Sequence, residues 1–302
     1  MRLAIEPWDP DFGPSFQGAE LRPTDATVDP GVEVAPDRWK PVASKAAPAS
    51  TVVFVDGVRR IDARAWITLD GTTTLGVCAS YAAGTVEAGT SAEVRDIEVR
   101  RGLFSTAAAE DLTTSIGTFT YVADDDERGV QNSLRNLETE LAARLARPRR
   151  DVRLVVVDGP LSGHHTTEAT VGYIKSHRVT YLDEALTRTV HTLAPGERTP
   201  LFFTTTSWSR YSAYLRLPGS QGHPWAGIVR IEIAAEARLE EAKRLADVAA
   251  STLPRYASTP FKDPRAPQNL FPIGGLEREL RHRLGDAALV HRALRVSAQK
   301  SI

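Results

Sequence analysis

Gly129-Val-Gln-Asn-Ser-Leu-Arg-Asn-Leu-Glu-Thr-Glu-Leu-Ala-Ala-Arg-Leu-Ala-Arg-Pro148 is followed at once by Arg149-Arg-Asp-Val-Arg-Leu-Val-Val-Val-Asp158-Gly159. In the first part Val130, Leu134, Leu137, Leu141 and Leu145 recur with a period of 3.6. That spacing predicts an amphipathic helix over 129–146, closed by Pro148. In the second part Val152 to Val157 reads as an apolar strand that stops at Asp158-Gly159. A strand apolar on both faces belongs inside a helix-covered sheet, usually beside a parallel neighbour. Helix feeding directly into such a strand makes the chain α/β.

Upstream, Thr51-Val-Val-Phe-Val55 is a β-branched run that predicts a strand ending at Asp56-Gly57. Residues 60–69 and 74–81 predict a hairpin about Asp70-Gly71, and 94–100 alternate with period 2. A short Ala-rich helix is expected near 106–113 and a strand at 117–122. Downstream come helical stretches at 166–192, strands around 200–206, 211–217 and 227–233, a helix at 235–250 and a terminal helical segment at 275–296. The expected architecture is a mixed sheet flanked by helices. Residues 1–50 differ: they are rich in Pro, Asp, Gly and Ala, carry Trp8, Phe12, Phe16 and Trp39, and show no period. They predict an extended Pro-rich N-terminal arm, packed on its own domain or on a partner, joined by a hinge at 46–50 to a main domain at 51–302.

The chain has 302 residues, 42% apolar and 25% charged, and 37 − 38 gives a net charge of −1. This composition excludes whole-chain disorder and a global basic field, though not a local basic groove. Cys78 is the only cysteine, which excludes an intrachain disulfide and a multi-cysteine zinc site. The N-terminal residues hold no apolar signal core and no run reaches the ~20 residues of a membrane span, so a cytoplasmic protein is expected. The phosphate-loop, dinucleotide, serine-elbow and His-Glu-x-x-His motifs are all absent. His164-His165 reads as a solvated loop pair.

Two apolar strands thus run into Asp-Gly, at Asp56 and at Asp158. Asp-Gly is also a plain turn signal, and Asp70-Gly71 is read as only that. If the other two strands are neighbours, their carboxylates converge at a sheet end, where ligands of open α/β sheets collect. A cysteine-free oxygen site suits Mg²⁺ or Mn²⁺. A third carboxylate should come from the intervening helix, which offers Glu138 and Glu140. Glu138 falls about 60° from the centre of the leucine stripe and Glu140 about 100°, so Glu138 is the first choice and Glu140 the reserve.

Taken together, a strand carrying Asp, an antiparallel start, a helix carrying Glu and a later strand carrying Asp resemble the RNase H-like nuclease fold. In detail the chain resembles the NurA family of DNA-end-processing nucleases. Phe54-Val-Asp56-Gly is similar to that family's opening motif and Val156-Val-Asp158-Gly-Pro-Leu161 to its second. Val171-Gly-Tyr-Ile-Lys175 and Asn269-Leu-Phe-Pro-Ile273 resemble the segments that follow and close it, so the likeness covers about 50–296. It implies that Asp56, Glu138 and Asp158 bind Mn²⁺ or Mg²⁺ while Lys175 neutralises phosphate charge. The family often places a His near the closing motif; none stands here, and Asp263 is the candidate fourth ligand.

The resemblance further implies 5′–3′ exonuclease or single-strand endonuclease activity, DNA as substrate, a homodimer, and a HerA-type hexameric ATPase as partner. From the residues themselves, Arg59 and Arg60 follow the first Asp-Gly and could hold a strand backbone; an exposed hairpin pair would look the same. Arg144, Arg147, Arg149, Arg150 and Arg153 form the one dense basic run, suited either to a DNA path or to a helix C-terminus. Trp208, Arg210 and Tyr211 lie in an aromatic–Arg interleave at 202–216, typical of single-strand grooves and equally of strand cores. A catalytically decayed binding module and a small-substrate metal phosphohydrolase are the competing readings.

Overall fold

The computed structural model describes residues 22–23, 25–124, 126–144, 153–161, 169–219 and 222–299. In chain order the main elements are β1 (Thr51–Leu69), β2 (Thr72–Ala88), β3 (Ala92–Ser105), β4 (Leu112–Thr114), β5 (Gly117–Ala123) and α1 (Asp126–Arg144). Then come β6 (Arg153–Asp158), β7 (Thr170–Ile174), α2 (Glu184–Thr192), β8 (Phe202–Thr205), β9 (Ser209–Arg216) and β10 (Ile228–Ala234). The chain ends with α3 (Leu239–Thr252), α4 (Phe271–Arg283) and α5 (Ala287–Gln299). The protein is mixed α/β, with large mixed sheet structure flanked by helices, as the sequence predicts. It divides into two compact units, one formed by 1–54, 87–92 and 146–274, the other by 55–86, 93–145 and 275–302.

In the first unit the strands run in the order β8-β9-β10-β7-β6. The β6–β7 pair is parallel, with Asp158 opposite Tyr173, and the remaining pairs are antiparallel. This explains why Leu154 to Val157 are all buried: both faces of β6 are covered. One core cluster joins Leu186 and Val190 of α2 to Phe202, Tyr214, Trp225 and Ile228. Asp183 starts α2 by accepting from Leu186 N at 2.8 Å.

Residues 25–49 of the Pro-rich segment pack on this same unit. Thr27–Asp29 pairs with β8, and Trp39 packs against the Phe202 cluster. Glu33 grips buried Arg198 through both carboxylate oxygens, at 2.8 and 3.0 Å, and accepts from Leu201 N. Ala49 N donates to Thr252 Oγ1 at the end of α3. Trp8, Phe12 and Phe16 lie outside the described residues.

In the second unit the order is β1-β2-β3-β5-β4. β2 is buried on both faces and alternates its partners. Val77, Ala79, Tyr81 and Ala83 meet the leucine stripe of α1, whereas Cys78 meets Val290 and Leu294 of α5 and Ala82 meets Leu276 and Leu280 of α4. Period 2 in the strand thus serves a helix on each side.

Several sequence expectations are corrected. Asp56-Gly57 is no turn: β1 runs unbroken from Thr51 to Leu69, with Asp56 in its interior. Residues 106–113 form no helix; the run is too short to repay nucleation, and Asp111 and Ala107 instead bond Tyr121 of β5. The expected helical stretch 166–192 holds strand β7 and only then α2, so Lys175 follows a strand. The terminal segment is two helices, broken at Gly285, which adopts φ +80°, and restarted by Asp286 accepting from Leu289 N.

Candidate active site

In the second unit, Asp56 is 5% exposed and its Oδ1 accepts from Gly57 N at 2.8 Å. Gly57 explains the Asp-Gly pair without a turn. A Cβ there would stand 2.5 Å from Leu134 Cδ1, 2.6 Å from Glu138 Oε1 and 3.2 Å from the Ala82 carbonyl oxygen. The missing side chain lets α1 lay the buried Glu138 carboxylate directly over Gly57. Glu140 points elsewhere: it pairs at the surface with Arg100 at 2.6 Å. That hydrogen bond, together with the charges of Arg100 and Arg144, holds its pKa below the usual value.

A carboxylate not named from the sequence joins Asp56 in this unit. Glu277 of α4 and Asp56 each offer an oxygen within 4.8 Å of the other's. Ile273, Leu276 and Leu280 of α4, with Leu284 just beyond its end, form a buried stripe, and Glu277 sits among them at helical spacing. A charged residue on an apolar stripe is the signal that could have found it.

In the first unit Asp158 ends β6. Gly159 then exchanges both backbone hydrogen bonds with Tyr173, at 2.9 and 3.1 Å, and turns with φ +112°. Lys175 Nζ donates to Asp158 Oδ2 at 2.5 Å and to Asn269 Oδ1 at 3.0 Å. Asn269, fully buried, donates through Nδ2 to Asp263 Oδ2 at 2.8 Å. The other oxygen of Asp263 accepts from Arg265 N at 2.8 Å. Asp263 thus orients Asn269 with one oxygen and holds the Arg265 backbone with the other, which makes it a support for Lys175. Tyr173 OH donates to the Gln268 carbonyl at 2.7 Å, tying the same segment to β7. Burial first, and then the nearby Asp158 charge, push the Tyr173 phenol well above its ordinary range, so it is a fixed donor.

The basic candidates separate. Arg59 is exposed and donates to Gln131 at 3.0 Å. Arg60 pairs with buried Asp62 at 2.7 Å and donates to the Leu284 and Gly285 carbonyls beyond α4, a helix-end contact rather than an open phosphate site. Arg144 pairs with Glu98. Arg147, Arg149, Arg150 and the Arg153 side chain lie outside the described residues. Arg210, expected in a DNA groove, is 3% exposed and bonded to fully buried Glu232 at 2.8 Å, which Arg230 also bonds at 2.9 Å. Trp208 lies under the Arg210 guanidinium at 4.3 Å, and Tyr211 packs edge-on against Phe203 at 4.9 Å. This interleave is part of the strand packing.

The mixed α/β architecture has a counterpart among solved structures. The NurA nuclease from Sulfolobus solfataricus superposes with a TM-score of 0.52 at 10% identity, over 87% of this chain and 88% of that one. Endonuclease V from Bacillus subtilis gives a TM-score of 0.30 at 14% identity, over 86% and 89%. No curated protein matches the sequence. The NurA domain matches residues 50–273, and the chain belongs to the NurA family. Among the described residues no helix is long and apolar enough to cross a membrane.

Proposed function

We propose that the chain is a metal-dependent DNA nuclease, hydrolysing phosphodiester bonds at DNA ends or in single strands, by 5′–3′ exonuclease or single-strand endonuclease action. The observation that carries the reading is a pair of carboxylates, Asp56 and Glu277, whose oxygens lie within 4.8 Å of each other in a NurA-family chain, and Asp158 is taken as a further ligand from the family likeness. Every donor is a carboxylate oxygen, with no thiolate or imidazole among them, which fits Mn²⁺ or Mg²⁺ and disfavours zinc. Glu138, buried over the neighbouring Gly57, is proposed as a further ligand by family likeness. When bound, such an ion polarises the phosphodiester and makes its water a stronger nucleophile.

The protein's own residues do the positioning. Lys175 is held between Asp158 and Asn269, so its ammonium is oriented before substrate arrives and costs no reorganisation when phosphate charge builds up. Asp263 fixes the Asn269 amide so that its oxygen, and not its nitrogen, faces Lys175. Arg59, and the basic run at Arg149 and Arg150, are proposed contacts to the DNA backbone. By family likeness the chain works as a homodimer with a HerA-type hexameric ATPase.

The test is a time course on end-labelled single-stranded DNA with Mn²⁺, Mg²⁺ or EDTA, beside Asp56→Ala and Asp158→Ala. The proposal expects cleavage that needs the ion and disappears in both variants. Cleavage that persists in EDTA, or in both variants, rejects it. Polymer DNA left intact while a chromogenic phosphodiester is hydrolysed selects a small-substrate phosphohydrolase instead.

A further inference from the structure

The mixture of rings and cations expected at 202–216 is packed inside there, but another such grouping stands open in the same unit. Phe261 is 82% exposed, the most exposed large hydrophobic side chain among the described residues, and Phe271 is 40% exposed. Lys262 lies against both: its Nζ is 5.5 Å from the Phe261 ring centroid and 5.3 Å from that of Phe271. The Phe261 ring, left largely in water, adds little to folding, and with the open edge of Phe271 and Lys262 beside it the exposure calls for an occupant.

The backbone beneath them is fixed. Lys262 N and Asp263 N both donate to the Thr259 carbonyl, at 2.9 and 3.1 Å, and Asn269 N donates to the Arg265 carbonyl at 3.0 Å. Buried Asp263 anchors the turn through Arg265 N and Asn269 Nδ2. The rings are therefore presented on a preformed frame, and little ordering entropy is lost when something binds them. That frame is also the one that carries Asn269 to Lys175 and Asp158. Lys262 immediately precedes Asp263, and Phe271 follows Asn269 by two residues.

We infer that Phe261, Lys262 and Phe271 form a stacking platform for single-stranded nucleic acid. Bases from an unpaired strand stack on the two rings, and Lys262 meets the phosphates between them. A protein partner fits less well, because the cores of protein interfaces are depleted in Lys, and here the ammonium sits between the rings. A duplex presents no unstacked base faces, so the platform selects single strands and does not read sequence. The inference rests on the nuclease reading and adds to it where the strand lies.

The experiment uses the full chain in EDTA, so that binding is read without cleavage. Anisotropy of a fluorescein-labelled oligothymidylate of about 20 nucleotides, long enough to span such a groove, is followed over a range of salt. Phe261→Ala, a surface change that leaves the fold intact by thermal melt, is expected to weaken single-strand binding about tenfold, the loss of one stacked base. Phe261→Trp is expected to retain binding. Lys262→Gln should make the slope of log affinity against log salt shallower by about 0.7, one phosphate contact. Binding unchanged in Phe261→Ala and Phe271→Ala, with an unaltered slope in Lys262→Gln, overturns the platform. If the parent still cuts DNA with metal in that case, the nuclease reading stands and the platform alone falls; a parent that neither binds nor cuts removes both.

Discussion

Replacing Gly57 with Ala separates two explanations of the Asp56-Gly57 pair. Gly57 is not among the glycines at positive φ, so were it merely tolerated in an open strand, Ala would be neutral or would stabilise by about 0.5–1 kcal/mol through lower unfolded-state entropy. The structure gives the opposite sign. The new methyl would stand 2.5 Å from Leu134 Cδ1, 2.6 Å from Glu138 Oε1 and 3.2 Å from the Ala82 carbonyl. Two of these are ends of flexible side chains and can move; the carbonyl belongs to β2 and cannot move freely. Overpacking of this kind costs about 1–3 kcal/mol, so after the entropy gain a net loss of about 1–2 kcal/mol is expected. Urea unfolding of the parent and Gly57→Ala measures it as a lower midpoint at constant slope. Because Glu138 must give way, metal-dependent cleavage should fall as well, by more than the lost stability accounts for at a temperature where both proteins are folded. An unchanged or raised midpoint would refute the close-approach account of Gly57. A lowered midpoint with full activity would remove Glu138 from the site.

Asn269→Ala deletes the acceptor at 3.0 Å that shares Lys175 with Asp158. Loss of such a support typically costs 10–100-fold, and here about that loss is expected in kcat with little change in single-strand affinity in EDTA; an equal loss in both would make Asn269 merely structural. His177 is buried with Nε2 at 3.0 Å from the Ile228 carbonyl, and burial first, helped by the Arg230 charge, lowers its pKa to about 4. A depressed histidine stays neutral in the fold while the unfolded chain takes a proton below about pH 6.5, so this stability is present above that pH and lost on acidification. The loss is about 2 kcal/mol between pH 7 and pH 5, and His177→Gln should flatten that part of the stability–pH curve. Cys78 is buried in the α5 cluster, and its thiol is pushed up to about 12 by burial and then by Asp62. It should resist alkylation at pH 8 in the folded protein and react at once in denaturant; rapid labelling of the native chain would contradict its placement.

The elements legible from sequence are those specified by their own periodicity. The leucine stripe predicts a helix at 129–146 and the structure has α1 at Asp126–Arg144; the apolar run predicts a strand at 152–157 and the structure has β6 at Arg153–Asp158. The failures fall where a local signal competes with distant partners. Asp-Gly favours a turn in isolation, yet at Asp56 the need to seat α1 over Gly57 prevails, whereas at Asp70-Gly71, where Gly71 adopts φ +77° in open space, the turn chemistry acts unopposed. The same dipeptide thus has two structural reasons, and only the atoms around the glycine tell them apart.

Site residues follow the same logic. That Asp158 ends a strand was legible because a strand end is a local property, and the burial of Glu138 because its angle on one helix can be reckoned from the sequence alone. The approach of Glu277 to Asp56 was not, because it depends on how α4 packs against β1, which no local pattern encodes. Arg210 shows the harder limit. Aromatic and Arg residues alternate in a nucleic-acid groove and in a packed strand alike; what separates the two is whether a carboxylate neutralises the guanidinium. That carboxylate is Glu232, in β10, which pairs opposite Ser212 and therefore lies diagonally from Arg210 on the same face. A register shift of one residue would turn Glu232 to the other face and leave Arg210 unpaired. No composition of residues 202–216 encodes that register, so the exposed rings at Phe261 and Phe271, with Lys262 between them, become visible as the alternative only once the strands are paired.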